Sequence, residues 1–294
     1  MTHTSRSLVA LFVLCGMTVC IAAFKPAQPL VLHTTRHSLS DLEIGGSLQG
    51  IPQGETRFVS YEQLLSLPQE SYTVTDDTNF GRTVQISGVA FDTLPKWLGA
   101  PKDATMVIAI CNDKYAAHYP ASYVSAHHPL LVLKVNGQQS NHWPLGVDGM
   151  AMGPFMVSHP SFRPSFHVLS HEDEAQVPWG VVRLDLRREQ TVYAPIEPYG
   201  SAANDPSVQA GYAIARQNCF RCHSRLGEGG KKSTVLWDDV AKKAVTDPKR
   251  FDAYVRFPKK INPQSKMAAS PQYDDATLRA LRRYFATFME GGTR

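Results

Sequence analysis

Cys219, Cys222 and His223 stand in the order Cys-Phe-Arg-Cys-His, and that spacing suits one kind of chemistry above the others. Two thiols three positions apart lie along one helical turn, where each can add to a vinyl group of a single heme. The imidazole beside the second thiol is then carried to the iron as its proximal ligand. This is the c-type heme attachment pattern. The competing readings are a zinc knuckle, a thioredoxin-like dithiol and chance. A structural zinc site needs four ligands, and no cysteine or histidine follows His223. A redox dithiol belongs at a strand-to-helix turn of a βαβ unit, whereas the surroundings here are patterned as helix. Covalent heme c, one per chain, is the reading these residues favour.

Heme is attached to such motifs outside the cytoplasm, so export is the first test. A short polar stretch carrying Arg6 leads into an uncharged run, Leu8 to Phe24, that ends in the small residues Ala22 and Ala23. That outline predicts a signal peptide over residues 1–23 and a periplasmic protein. The run is nearly long enough to span a bilayer, so an uncleaved anchor is the alternative, and membrane contact is expected only in that case. The chain has five cysteines. Cys15 and Cys20 fall in the signal and Cys219 and Cys222 in the heme motif, which leaves Cys111 alone without a disulfide partner in the mature chain.

Charge divides the chain. Residues 1–204 carry 13 Lys+Arg against 17 Asp+Glu, and residues 205–294 carry 17 against 9. Such a split suits two modules. The basic half lacks the aromatic interleaving that nucleic acid would require, so an acidic redox partner, steered by long-range attraction, is weighed against a merely solvated basic face. Residues 193–206 are rich in Pro, Gly, Ser and Ala and read as a linker. Residues 24–56, with Gly45 and Gly46 side by side, read as an extended, loosely packed arm.

After Pro206 the pattern turns helical. Val208, Tyr212 and Ala215 share one face of a helix leading into Cys219. Asp274 or Asp275 can cap a last helix whose apolar stripe is Leu278, Leu281, Phe285 and Phe288, with Arg279, Arg282 and Arg283 opposite. Residues 207–294 resemble the class I cytochromes c in motif, order and size. The resemblance implies an all-helical domain around one low-spin heme. Beyond the motif only Met267 and Met289 could supply a second axial ligand, since no histidine remains. Met289 lies at the end of the last helix. Met267 lies in an irregular loop before that helix, the place from which class I cytochromes bring their methionine, and a thioether there raises the potential as an electron carrier needs. One departure stands out: the segment from Gly229 to Trp237 has no proline where many relatives place a Gly-Pro whose carbonyl orients the proximal histidine. Some other carbonyl must orient His223.

Residues 57–192 read as strands separated by turns: Thr83–Val89, Ala104–Ile110, Leu130–Val135 turning at Asn136-Gly137, and Val181–Leu186, with a short helix from Tyr61. Gly88 to Pro95, Cys111 to Tyr115 before Tyr119-Pro120, Lys134 to Gly137, and Gly153 to Phe155 before His159-Pro160 resemble pieces of the molybdopterin-binding domain of the sulfite oxidase family. The expected architecture is therefore multidomain, a strand-rich α+β sulfite-oxidase-like domain followed by an all-α class I cytochrome c domain. In the catalytic members of that family a cysteine thiolate ligates molybdenum, and Cys111 occupies a comparable place. The bland reading, a buried free cysteine, is the favoured one. The domain is small for enclosing a pterin, and Arg57, Arg82, Lys114 and Arg163 are too scattered to hold its phosphate. Two functions follow: an exported electron carrier with a docking or assembly module in front, or a molybdenum-dependent, sulfite-dehydrogenase-like oxidoreductase feeding its own heme from Cys111. His118, His127, His128, His142, His159, His167 and His171 crowd one third of the chain. The adjacent His127 and His128 would point to opposite faces of a strand, and no pair has metal-binding helical spacing.

Overall fold

The structure, a computed structural model, describes residues 29–75, 77–160 and 176–289. The signal segment 1–23 with Cys15 and Cys20, and also Arg163, His167 and His171, lie outside the described residues. Strands β1 (Leu42–Gly46), β2 (Arg57–Val59), β3 (Glu70–Val74), β4 (Val84–Ala90), β5 (Met106–Cys111), β6 (Ala116–Pro120), β7 (Leu130–Val135), β8 (Gln138–Gln139), β9 (Phe155–Ser158) and β10 (Trp179–Arg187) form one mixed sheet. Its order is β2-β1-β10-β9-β7-β4-β3; β5 also pairs with β10, β6 pairs with β5, and β8 with β7. The helices are α1 (Tyr61–Leu65), α2 (Leu94–Trp97), α3 (Ala121–His127), α4 (Glu189–Tyr193), α5 (Pro206–Ile214), α6 (Trp237–Thr246), α7 (Pro248–Arg256), α8 (Pro258–Ile261) and α9 (Asp275–Ala286). Among the described residues no helix is long and apolar enough to cross a membrane.

Local chemistry explains many boundaries. Asn136 and Gly137 both take positive φ, 51° and 77°, and close the β7–β8 hairpin, as an Asn-Gly turn does when its twist must match the strands. Ser60 and Gln63 cap α1 reciprocally, and the Asp274 carboxylate accepts the Thr277 amide at 2.7 Å to start α9. Leu278, Leu281 and Phe285 of α9 have no exposure. His127 ends α3 and His128 is its left-handed cap at φ 47°, so the two are not strand neighbours. Gly45 and Gly46 belong to β1, which runs parallel to β10 with Gly45 opposite Asp185 and Gly46 opposite Leu186.

The expected separate all-α domain is not what the chain forms. The reason lies in β5, whose sequence Met-Val-Ile-Ala-Ile-Cys is apolar at every position. Alternate side chains of a strand point to opposite faces, so such a run requires cover on both. Val107, Ala109 and Cys111 face a first core with Phe91, Tyr119 and Leu184. Met106 and Ile108, with Ala116 of β6, enter a second core, whose other members include Tyr193, Ile196, Val208, Phe220, Trp237, Leu281 and Phe285. The carboxy-terminal helices are thus the cover of the sheet's second face, continuous with it in one core. Ile196, inside the stretch read as a linker, has no exposure, and its carbonyl accepts the Tyr284 hydroxyl at 2.5 Å. Within this layer α5 crosses α9 so closely that a Cβ on Gly211 would lie 2.1 Å from the Ala280 carbonyl oxygen.

Candidate functional site: the Cys219–His223 turn against the sheet

A π-helical turn, Ala215–Cys219, prolongs α5 into the motif, a local widening that recurs at functional sites. The Cys219 carbonyl accepts the amides of both Cys222 (3.2 Å) and His223 (3.0 Å). The motif is therefore wound as a helical turn, which sets the two half-buried thiols one turn apart and His223 directly after. Neither cysteine is in a disulfide. Phe220, between them, is fully buried and meets Trp237 edge to face at 5.4 Å.

His223 answers the question left by the missing proline. Its Nδ1 donates to the Val235 carbonyl at 2.6 Å. That bond fixes the ring's orientation and leaves Nε2 available as a metal donor. Burial lowers the pKa of the imidazole, and the Val235 bond works against that lowering, so the ring is neutral, as a metal ligand must be. The segment after the motif folds back over it: the Gly230 amide donates to the Phe220 carbonyl at 2.8 Å and the Ser233 amide to the Cys222 carbonyl at 3.0 Å. The donor set of two thiols and an oriented neutral imidazole fits a covalent heme.

Met267 is half-buried and packs against the core that contains Phe220, and its amide donates to the Ser265 hydroxyl at 3.3 Å. Met289 is 48% exposed at the end of the chain's last described turn. If Met267 is the sixth ligand, Met267→Ala is expected to abolish the near-infrared methionine-to-iron band of the oxidised protein, and Met289→Ala to leave it intact. The reverse pattern in absorption spectra would move the ligand to the end of α9.

The sheet reaches the motif through the β5–β6 hairpin, which the sequence reading did not connect to it. The Ala116 amide donates to the Arg221 carbonyl at 3.0 Å, and the Lys231 amide to the Lys114 carbonyl at 3.0 Å. Arg221, only 8% exposed, donates from its guanidinium to the Tyr115 hydroxyl at 3.1 Å. Asp113 and Lys232 pair at 2.6 Å. Burial pushes the Asp113 carboxyl up, but the Lys232 ammonium together with hydrogen bonds from the Tyr115 and Asp113 amides holds it below its usual range. His118 of β6 stacks on Phe220 at 5.3 Å. Both its ring nitrogens lack a hydrogen-bond partner among the described residues, and burial, reinforced by Arg221 and Arg187, pushes its pKa down to about 3.

Cys111 sits at the end of β5, buried, and its amide donates to the Tyr115 carbonyl at 2.9 Å. Burial, and then the Asp113 carboxylate, pushes its thiol up to about 12. Arg57 lies on β2 at one edge of the sheet and is paired with Glu55, Arg82 precedes β4 near the other edge, and Lys114 is in the β5–β6 turn. The three thus stand at separate places in the sheet. The described histidines lie in more than one place, though His127 and His159 adjoin, with ring centroids 6.1 Å apart. Tyr123 bonds His159 Nε2 at 2.9 Å and meets His127 at a tilt, ring centroids 4.3 Å apart, while His118 lies against Tyr193 and Phe220 and His142 is exposed. Among the described residues no three His, Cys, Asp or Glu gather as a metal-binding group.

No family model matches this sequence, and no curated protein matches it. Among solved structures, it is similar to the sulfane dehydrogenase SoxCD from Paracoccus pantotrophus at 13% identity and a TM-score of 0.34, over 58% of this chain and 45% of that one. This chain thus spans less than half the length of that structure, and a likeness so low and so partial assigns it to no family.

Proposed function

We propose that the chain is an exported c-type cytochrome that carries single electrons through one heme, attached at Cys219 and Cys222 and ligated by His223 and Met267. The observation that carries this reading is the Nδ1 bond from His223 to the Val235 carbonyl at 2.6 Å, because it orients the imidazole without occupying Nε2. Bound heme would supply a one-electron Fe(III)/Fe(II) couple. The chain does the rest. Cys219 and Cys222 hold the group covalently, Val235 fixes the ring plane of His223, and Phe220 and Trp237, both without exposure, exclude water from behind the motif. The sheet serves as a docking or assembly body, and the basic residues of 205–294 suit an acidic redox partner. Expressed with its leader and a heme-maturation system, the protein is expected to leave the cytoplasm with the mass of one heme added. It should then titrate as a single one-electron couple. A chain that matures without added mass would end this reading.

A second reading, a molybdenum-dependent oxidoreductase that delivers substrate electrons from Cys111 to the same heme, draws on the hairpin contact. Cys111 and Cys222 both border Tyr115, and each influences its ionisation. Under the carrier reading Cys111→Ser leaves heme content and electron exchange with an external donor unchanged and costs about 1–2 kcal/mol of stability as a buried point change. Stoichiometric molybdenum in the native protein, lost in Cys111→Ser together with sulfite-driven heme reduction, would establish the second reading instead.

A further inference from the structure

Arg221 is an intervening residue of the heme motif, and its surroundings come largely from the sheet. Its guanidinium reaches the Tyr115 hydroxyl at 3.1 Å, and its carbonyl is held by the Ala116 amide at 3.0 Å. Arginine stays protonated in proteins, so this buried residue is a fixed positive charge, two positions from the proximal histidine. Asp113, at the tip of the same hairpin, is a negative charge held in place by Lys232 at 2.6 Å. The Lys232 ammonium in turn lies 5.7 Å from the centre of the Tyr115 ring. Hairpin and motif are more than 100 residues apart in sequence (106 between Tyr115 and Arg221) yet share one hydrogen-bonded unit.

Resting on the heme reading above, we propose that the β5–β6 hairpin sets the reduction potential of the motif's heme through two opposed charges, with Arg221 raising it and Asp113 lowering it. Arg221 and Asp113 are positioning residues here, since they would act on the iron through space and not as ligands, and Tyr115 holds the Arg221 guanidinium in place. A positive charge beside the iron disfavours the more positive ferric state; a negative charge favours it. Buried charges are screened much less by salt than exposed ones. Arg221 is 8% exposed, while the Asp113 side chain is 46% exposed. The Arg221 effect is therefore the larger and the less sensitive to ionic strength.

The test is spectroelectrochemical titration of the holoprotein and its variants at low and high salt, scored only on chains that carry covalent heme by mass. Arg221→Gln is expected to shift the ratio of reduced to oxidised heme about tenfold toward oxidised, a fall of about 59 mV for one electron. Arg221→Lys should restore it. Asp113→Asn should shift the ratio the other way, by a smaller factor that shrinks with added salt. Opposite signs are the signature, because a loss of packing would move both variants in one direction. If heme is attached and both potentials move together, or neither moves, the hairpin does not tune the site, and the heme reading survives. If Arg221→Gln does not take up heme, Asp113→Asn decides alone, and an unchanged or lowered potential overturns the proposal. A wild-type chain without covalent heme overturns both.

Discussion

Replacing both Cys219 and Cys222 with alanine is expected to remove every trace of covalent heme from the protein. On the heme reading each thiol would form one thioether bond, so each single variant could keep at most one and should show a large fall in attached heme. The structure sharpens the expectation. The turn is held by backbone hydrogen bonds from Cys222 and His223 to the Cys219 carbonyl and by the folded-back amides of Gly230 and Ser233. None of these depends on the sulfur atoms. The double variant should therefore fold and fail only in attachment, as measured by heme staining after denaturing electrophoresis and by intact mass. Heme that acidified solvent extracts from the wild-type protein would refute covalent attachment directly.

Gly230→Ala is expected to give the largest loss of stability of any single methyl addition near the site. A Cβ there would lie 1.7 Å from the Arg221 carbonyl oxygen, 2.3 Å from its carbon and 2.9 Å from the Cys222 nitrogen. All three are backbone atoms, so no side-chain rotation relieves the clash, and the motif itself must shift. Overpacking of this kind costs about 1–3 kcal/mol and occasionally more, and backbone obstruction belongs at the upper end. For a domain of 150–250 residues each kcal/mol lowers Tm by about 2–4 °C, so a fall of roughly 6–12 °C is expected, together with poor heme uptake. Gly227→Ala is the control. Gly227 has φ +89° but nothing within 4 Å of the added atom, so it reports the strain of the left-handed region alone, about 1–2 kcal/mol. Equal melting temperatures for the two variants would show that the close approach at Gly230 is not what shapes the turn.

Much of this molecule is legible in the sequence wherever the determining interactions are short-range. The cysteine spacing, the Asn136-Gly137 turn, the Asp274 cap and the stripe of α9 each depend on residues a few positions apart, and periodicity or turn chemistry reports them. The sequence reading also recognised that a carbonyl must orient His223, but not which one. Val235 is 12 residues away, and no local pattern selects one backbone oxygen of an irregular loop.

The division into domains is where local evidence misled. The change of charge near residue 205 and the Pro- and Gly-rich stretch before it suggest a boundary. Charge reports solvent-facing side chains, however, whereas the joining of two units is decided by what their apolar faces require. The continuously apolar β5 already required cover on both sides, and that was the available signal. It could not say that the cover would be the helices around the Cys219–His223 motif. Nor could it say that Tyr115 would meet Arg221, 106 residues on. Sequence thus determined the spacing and helical winding of the motif, because residue spacing and helical period are properties of neighbours. Only the tertiary structure decided its surroundings, because burial of two strand faces is satisfied by whichever distant segment packs there best.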